Sequence, residues 1–233
     1  MLEVSDLHVG YYQDLNILQG INLTAQDGKI TTVLGANGVG KSTLLKAIFG
    51  FLKPNRGEIF VDEKNICGVP THRLIELGLS YIPQQQGIFP WMTVEENIEL
   101  GGWTFRKDKT RIKQKIELNY LRFPVLQENR KKLAGKLSGG QQRMVEIART
   151  LMTDPRIILV DEPTAGLAKL LTEEFYRMLA ELRDNYGITI VLVDQEIRHA
   201  LKIADYVYVL ELGRNKFEGP VSEFTDLEKA FWA

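Results

Sequence analysis

The chain has 233 residues, of which 44% are hydrophobic, and this is enough to bury the core of one large domain or of a domain with a subdomain. Its net charge of −1 gives no overall field that would draw it to nucleic acid or to an anionic membrane. The apolar runs are too short to cross a bilayer, the first residues lack a signal-peptide pattern, and a single cysteine, Cys67, excludes an intrachain disulfide. We therefore expect a soluble, cytoplasmic chain whose membrane role, if any, comes through a partner.

The first part of the chain predicts short strands around a glycine-rich loop. These strands mix apolar and polar residues, and the segment 26–28, Gln-Asp-Gly, indicates a turn between two of them. A more apolar strand runs directly into the glycines, and a stretch of helical composition follows them. The predicted strands are 3–12, 17–24, 29–34, 58–61 and 79–82, and the predicted helix is 41–49.

The middle of the chain differs, because residues 94–133 are mostly helical in pattern and charged. The α/β pattern then returns with a helix at 138–152, which Ser138 can cap, and a buried strand at 157–160. An amphipathic helix at 170–185 and a fully apolar strand at 188–193, which we interpret as the last core strand, follow. Strands that alternate with helices imply a largely parallel sheet covered on both faces.

Residues 35–43, Gly-Ala-Asn-Gly-Val-Gly-Lys-Ser-Thr, match the phosphate-loop pattern G-x-x-x-x-G-K-[ST] between a strand and a helix. The glycines let the backbone turn tightly, so that its amide groups and the positive end of the helix form an anion nest. Lys41 is placed to reach the β- and γ-phosphates of a nucleotide, and the Ser42 hydroxyl suits Mg²⁺. The alternative, a glycine-rich turn with an exposed lysine, is disfavoured because the motif is complete and in context.

Asp161 and Glu162 follow the buried strand at 157–160, and α/β sheets open their ligand crevice at this end of their strands. Adjacent carboxylates on an extended segment point in different directions. One can therefore hold Mg²⁺ through water while the other faces an attacking water. Pro163 prevents the strand from continuing. A solvated strand end is the alternative interpretation, and it would be favoured if the phosphate loop were absent.

The segment 137–141, Leu-Ser-Gly-Gly-Gln, offers the same kinds of anion-binding groups as the phosphate loop. Ser138 offers a hydroxyl, and Gly139 and Gly140 leave bare backbone amides at the start of a helix. Taken alone, this could equally be a loop that only caps a helix. Together with the phosphate loop, it gives the chain two half-sites for a triphosphate.

In this order, the three motifs resemble those of the ATP-binding subunits of ABC (ATP-binding cassette) transporters, and the resemblance covers nearly the whole chain. It implies a P-loop NTPase (RecA-like) α/β core with an antiparallel β subdomain and a helical ABC-specific subdomain. A single ABC ATPase domain, 1–233, would consist of a core at 1–92 and 138–233 and a helical subdomain at 93–137.

The resemblance also implies MgATP hydrolysis in a dimer, in which two subunits pack head to tail. The signature at 137–141 of one subunit closes on ATP that the phosphate loop of the other holds. Such a dimer drives polytopic membrane permease subunits and lies on the inner face of the plasma membrane. Whether it pairs two copies or two related ATPases is left open by the sequence.

Residue roles follow from the same resemblance. Glu162 is the general base, and Lys41, Gln84 and Gln195 surround the γ-phosphate as the other catalytic residues. The metal ligands are Ser42, Gln84 and Asp161. Gln85 and Gln86 leave some ambiguity beside Gln84, and Tyr11 is a rival to Tyr12 for stacking on adenine. The ATP-binding residues are Tyr12, Asn37, Gly38, Gly40, Lys41, Ser42, Thr43, Ser138, Gly139 and Gly140.

Two positions depart from the common family pattern. Most relatives have a histidine ten residues before the aspartate of an Ala-Asp pair, and counting back from Asp205 gives Gln195, with His199 a less suitable substitute one helical turn on. A glutamine amide can donate to the γ-phosphate but carries no charge. We therefore expect hydrolysis with an altered rate and pH dependence. Ala168 stands where many relatives have aspartate, which we expect to alter communication between the two sites.

These departures, together with Phe-Pro-Val-Leu at 123–126 and a short C-terminal tail, resemble the ATPases of branched-chain and other hydrophobic amino-acid importers. Urea and amide importers are close relatives. One alternative is the ATPase of a lipid or lipopolysaccharide export system, and another is a soluble non-transport ABC protein, which usually has a second cassette or a coiled-coil insertion. The basic stretch at 106–115 lacks base-stacking aromatics, so we expect no nucleic-acid partner.

Overall fold

The computed structural model of the protein describes residues 1–12, 15–85, 87–164 and 168–224. The strands in these ranges are β1 (Leu2–Val9), β2 (Leu18–Ala25), β3 (Ile30–Leu34), β4 (Arg56–Val61), β5 (Lys64–Asn65), β6 (Leu79–Ile82), β7 (Ile157–Asp161), β8 (Thr189–Val193), β9 (Tyr206–Glu211) and β10 (Arg214–Pro220). The helices are α1 (Lys41–Ile48), α2 (Thr71–Glu76), α3 (Val94–Leu100), α4 (Lys109–Arg122), α5 (Pro124–Glu128), α6 (Gly139–Leu151), α7 (Lys169–Tyr186), α8 (Ile197–Ile203) and α9 (Val221–Phe224).

The central sheet has six strands in the order β10-β9-β3-β8-β7-β6. The pairings from β9 to β6 are parallel, and only β10 pairs antiparallel, with β9. The prediction of a largely parallel α/β sheet is therefore confirmed. Because parallel strands end at the same edge, the segments after β3, β6, β7 and β8 meet there.

Alternate residues of the central strands enter two separate hydrophobic clusters, one on each face of the sheet. In β8, Ile190 and Leu192 belong to the cluster of the helices α3 to α7, while Val191 and Val193 belong to the other. Both faces are thus covered, which explains why this strand is a continuous apolar run rather than an alternating one.

A second sheet, in the order β2-β1-β4-β5, is antiparallel throughout. Its buried residues, such as Leu2 and Ile59, share a cluster with Leu44 and Ile48 of α1. This sheet and α1 therefore cover one face of the central sheet. It corresponds to the antiparallel β subdomain of the expected fold.

The helices α3, α4 and α5 cover part of the other face. A capping box begins α3, in which the Thr93 hydroxyl accepts from the Glu96 N–H and the Glu96 carboxylate accepts from the Thr93 N–H. Ile98 of α3 and Ile116 of α4 join the cluster that also contains the inner residues of α6 and α7. Gly101, after α3, lies so close to α6 that a Cβ there would be 2.1 Å from the Arg149 carbonyl oxygen.

The interpretation of 188–193 as the last core strand is wrong, because β9 pairs in parallel with β3 and β10 extends the sheet beyond it. Two tyrosines interrupt the apolar run of β9, although Val207 to Leu210 are buried. The short helix α2 was likewise not predicted. No helix in the described ranges has both the length and the apolar composition that a bilayer crossing requires.

Candidate nucleotide-binding site

The phosphate loop joins β3 to α1 in the strand–loop–helix order expected from the motif. Gly38 and Gly40 have φ values of 79° and 108°, in the left-handed region that favours glycine. A Cβ on Gly40 would also lie 2.5 Å from Cδ2 of Leu18 in β2. Gly40 is therefore required both for the backbone turn and for the close approach of the loop to the second sheet.

Lys41, the first residue of α1, is only 3% exposed. Its Nζ donates to the carbonyl oxygens of Gly35 (2.9 Å) and Ala36 (3.1 Å) and lies 3.4 Å from Oε1 of Glu162. A buried ammonium needs such partners, because burial without them is costly. Lys41 thus lies between the phosphate loop and the acidic pair at the end of β7.

Asp161 ends β7, and both oxygens of its buried carboxylate accept hydrogen bonds. Oδ1 accepts from the Ser42 hydroxyl (2.8 Å), and Oδ2 accepts from the Tyr81 hydroxyl (2.8 Å). Burial and the neighbouring Asp161 charge raise the pKa of Tyr81, so its hydroxyl remains a donor. The Tyr81 ring stacks on Phe49 at 5.5 Å between centroids. The sequence analysis gave Tyr81 no role, although it stands three residues before Gln84.

A hydroxyl and a carboxylate are the hard oxygen ligands that Mg²⁺ prefers, and Ser42 and Asp161 bring these groups within 2.8 Å of each other. The donor set therefore fits the metal that the resemblance implies. A Mg²⁺ site of this kind does not require a group of three or more His, Cys, Asp and Glu side chains. The described part of the chain contains no such group. Gln84, the third expected ligand, contacts Glu162 instead.

Glu162 has a φ of +39°, and its N–H donates to the Val193 carbonyl of β8 (2.8 Å). A residue other than glycine in this region stores about 1–3 kcal/mol of strain, which the surroundings must offset. This turn, and not the extended segment that the sequence predicted, gives the two adjacent carboxylates different partners. The Glu162 carboxylate is buried and accepts from the side-chain amides of Gln84 (2.8 Å) and Gln195 (2.5 Å).

Four of the predicted residues thus converge: Lys41, Gln84, Glu162 and Gln195. They come from α1, from the segment after β6, from the segment after β7 and from the segment after β8. His199, the less suitable substitute for Gln195, instead lies on α8 with its ring stacked on Tyr176 at 5.6 Å.

Ser138 is the N-cap of α6 and forms a capping box with Gln141, so the prediction that it caps this helix is confirmed. A Cβ on Gly140 would lie 2.7 Å from Cδ2 of Leu171 in α7, so a larger residue there would require the Leu171 side chain to move. Ser138 therefore pairs within its own helix rather than with the phosphate loop of its own chain.

Further along α6, three charged side chains hold the segment that carries Gln84. Arg143 donates to the Pro83 and Gln84 carbonyls (3.2 and 2.6 Å) and to Glu146 (2.6 Å). The other oxygen of Glu146 accepts from the Gly87 N–H (2.9 Å), and Arg149 donates to the Gly87 carbonyl. Arg143 and Glu146 are each 1% exposed. Sequence reasoning missed this buried ion pair.

Tyr12 is 76% exposed, and Tyr11 is also exposed, so both rings are at the surface. A depression of about 600 Å³ lies beside the phosphate loop, and Leu15, Ile17 and Asn37 contribute to its lining. Of the other predicted residues, Thr43 is buried in α1. Gln86, and the glycine and leucine at 166 and 167 before Ala168, lie outside the described residues.

A phosphate loop beside an acidic pair, on the edge of a parallel sheet, defines a P-loop NTPase. The family model described as ABC transporter matches residues 18–165. The chain is 38% identical over 229 residues to the probable branched-chain amino acid transport ATP-binding protein LivF of Archaeoglobus fulgidus, covering 98% of this chain and 96% of that protein. It belongs to the ATP-binding ATPases of the ABC transporter family.

Two further relatives are named for different transport systems. The high-affinity branched-chain amino acid transport ATP-binding protein BraG of Pseudomonas aeruginosa is 36% identical, over 88% of this chain and 86% of that one. The lipopolysaccharide export system ATP-binding protein LptB of Acidithiobacillus ferridurans is 30% identical, over 97% and 94%. The crystal structure of the ADP conformation of MJ1267, an ATP-binding cassette of an ABC transporter, superimposes with a TM-score of 0.87 at 30% identity, covering 100% of this chain and 95% of that one.

We expect the Arg143–Glu146 pair to dominate the stability of the Gln84 segment. Replacing Arg143 by Met leaves a buried carboxylate without its cation, which costs about 3–5 kcal/mol in the free energy of unfolding. Adding Glu146→Leu should recover part of this loss, because the buried carboxylate is then removed, while Arg149 loses a nearby acid. Urea denaturation of the single and double variants measures both effects.

The matched control is Arg73→Met, which breaks an Arg–Glu pair of the same i,i+3 spacing on the surface of α2. It should leave the unfolding midpoint unchanged, since exposed pairs contribute little. A double variant no more stable than Arg143→Met would show that the cost does not come from an unpaired charge.

Proposed function

We propose that this chain is the ATP-hydrolysing subunit of an ABC importer for branched-chain or other hydrophobic or neutral amino acids. The observation that carries the hydrolytic part is the convergence of Lys41, Gln84 and Gln195 on the buried Glu162 carboxylate. The import of amino acids is supported by the names of the relatives at 38% and 36% identity and by the glutamine at 195.

In the proposed mechanism, Glu162 accepts a proton from the water that attacks the γ-phosphorus. Its carboxylate can act in a fixed direction, because two glutamine amides hold one oxygen and Lys41 lies beside the other. The Lys41 ammonium and the two amides offer donors to the γ-phosphate, where charge develops. The rate enhancement would come from positioning and charge stabilisation rather than from covalent chemistry.

Ser42 and Asp161 would hold Mg²⁺, with Tyr81 fixing the second oxygen of Asp161. Bound Mg²⁺ supplies positive charge against the phosphate oxygens. Gln84 would reach the same ion from its present position at Glu162. This pairing of one ligand with both the metal and the base would connect metal binding to the orientation of Glu162.

For nucleotide binding, the backbone amides of the phosphate loop, from Asn37 and Gly38 to Gly40, would surround the phosphates, and Thr43 would contact the α-phosphate. Tyr12 would stack on the adenine, since its ring is exposed and Leu15 and Ile17, shortly after it in the chain, line the depression next to the loop. Stacking of a base on an aromatic ring contributes about 1–3 kcal/mol in nucleic-acid complexes.

The second half-site would serve another subunit. The ABC transporter cassette MJ0796, 26–27% identical to this chain, has dimeric solved structures. We propose that Ser138, Gly139 and Gly140 of one chain contact the ATP held by the partner's phosphate loop. The exposed Ser138 at the start of α6 offers its hydroxyl and the positive helix end for this purpose.

The permease subunits would dock in a groove of about 600 Å³ beside the Gln84 segment. Phe89 and Trp103 expose large apolar surfaces there, whereas Tyr81 and Arg149 form its inner wall. An apolar cytoplasmic segment of a membrane subunit fits this lining. This apolar segment would extend across the proposed helical subdomain at 93–137. It would contact Tyr81, which donates to Asp161, and Arg149, which donates to Gly87. Such binding would hold the chain on the inner face of the plasma membrane.

We expect Glu162→Gln to abolish ATP hydrolysis while ATP still binds, because the amide cannot accept the proton. Steady-state ATPase activity against protein concentration should rise more than linearly for the unaltered chain if two copies form the site. Gel filtration should show an ATP-dependent dimer of Glu162→Gln. Activity that is linear in concentration and indifferent to this substitution would refute the mechanism.

Deletion of the gene for this chain should lower the uptake of radiolabelled leucine by its cells. Resupply of the chain should restore uptake, and resupply of Glu162→Gln should not. Lysine uptake serves as the control for general membrane damage. Unchanged uptake of leucine and other neutral amino acids, with less lipopolysaccharide at the cell surface, would favour the export alternative.

If the permease subunits dock in this groove, Trp103→Ser should weaken their co-purification with the chain. Removal of a central tryptophan from an interface typically costs 2 kcal/mol or more, or about 30-fold in affinity. Trp91→Ser is the matched control, because Trp91 is also exposed but does not line the groove. Equal losses for the two variants, or no loss for Trp103→Ser, would place the permease elsewhere.

A further inference from the structure

Asp194 is a buried carboxylate that the proposed mechanism does not use. It follows β8 directly and is 2% exposed. Its Oδ1 accepts from the backbone N–H groups of Gln195 (2.6 Å) and Glu196 (3.0 Å). Its Oδ2 accepts from the Tyr176 hydroxyl of α7 (2.6 Å). Three donors therefore fix both oxygens of this carboxylate.

The position of Asp194 is unfavourable for a carboxylate on its own. Burial raises the pKa of Asp194, and the nearby Glu162 charge adds to this, while the hydrogen bonds from Glu196, Tyr176 and Gln195 oppose it. Burial also raises the pKa of Tyr176, so its hydroxyl stays protonated and can donate. An acid placed in the interior close to another acid costs stability. The hydrogen-bond partners of Asp194 indicate which part of the structure this buried carboxylate holds in place.

Gln195 links Asp194 to the catalytic carboxylate. Its backbone N–H donates to Asp194, and its side-chain amide donates to Glu162. The side chain is long and otherwise exposed, so holding it in one conformation loses up to about 2 kcal/mol of rotamer freedom. Fixing the backbone of Gln195 at the end of β8 limits where its amide can reach.

Tyr176 is itself held firmly. It lies in α7, is buried, and stacks on His199 of α8 with an angle of 19° between the rings. His199 in turn lies 3.7 Å from both Glu173 and Glu196. The histidine that does not reach Glu162 therefore packs on the tyrosine that anchors Asp194. The charged groups that act on this pair are Glu162, which acts on Asp194, and Glu196, which acts on Tyr176.

We propose that Asp194 and Tyr176 are positioning residues that hold Gln195 against Glu162, so that α7 determines the orientation of the glutamine at the γ-phosphate position. Both side chains are buried and bonded to each other, so we assign neither a contact with substrate. The inference rests on the proposed roles of Glu162 and Gln195. It also explains how a glutamine, which carries no charge, is kept in one place by the Asp194 carboxylate, which accepts a hydrogen bond from its backbone N–H.

The test is a double-mutant cycle on steady-state ATPase activity. Tyr176→Phe should lower kcat about tenfold through misplacement of Gln195. The KM for ATP should not change, since the pair makes no contact with nucleotide. In the Gln195→Ala background, Tyr176→Phe should cause no further loss. The same fold-loss in both backgrounds, or full activity of Gln195→Ala, would overturn the proposal.

Two further variants guard against an effect on folding alone. Tyr120→Phe is the matched control, because Tyr120 is also buried and donates to a carboxylate, that of Glu95, at 2.8 Å. It should leave kcat unchanged. Asp194→Asn keeps an acceptor for the Gln195 N–H and should retain most of the activity that Asp194→Ala loses. An asparagine variant as inactive as the alanine variant would indicate a charge effect instead of positioning.

A readout independent of turnover is the side-chain amide of Gln195 in ¹⁵N NMR spectra, identified by its loss in Gln195→Ala. Tyr176→Phe should shift this resonance, and Tyr120→Phe should not. An unmoved amide overturns the inference whatever the ATPase data show. Failure of the proposed function would instead appear as turnover that survives Glu162→Gln, so the two failures can be told apart.

Discussion

The burial of the Glu162 carboxylate is the constraint on which the candidate site depends. A carboxylate withdrawn from water must be paired and hydrogen-bonded, and Lys41, Gln84 and Gln195 provide those contacts from three other segments. None of these segments is close to β7 in sequence, so it is the parallel sheet that brings them together. The strained backbone of Glu162 is tolerated for the same reason, because the ends of β7 and β8 hold it.

Much of this arrangement could be predicted, because each element carries a local signature. The glycines and Lys41 fix the loop after β3, and the run before Asp161 fixes a buried strand. Tyr81, Arg143 and Asp194 could not be found in this way. Their partners lie far away in sequence, as Tyr81 and Asp161 do at 80 positions, and side-chain contacts across a fold leave no periodic pattern. The strand β9 was missed for a local reason, since its tyrosines interrupt an apolar run.

The two covered faces of the central sheet support different parts of the candidate site. The face with α1 and the second sheet holds the nucleotide-binding loop in place, and Leu18 in β2 sets how closely that loop can approach. The other face carries α6 and α7, whose side chains reach the loops after β6 and β8. The polar groups of the site are thus supported from both sides, and the hydrophobic clusters beneath them make the supports rigid.

The helix α6 has a consequence for a dimer of the proposed kind. It is a rod of 13 residues, about 20 Å long, with Ser138 at its tip and Arg143 bound to the main chain of Gln84. A stiff helix cannot move at its tip without moving along its length. A displacement of Ser138 at one nucleotide would therefore also displace Gln84 beside the other nucleotide. The two nucleotide sites would be mechanically coupled through α6.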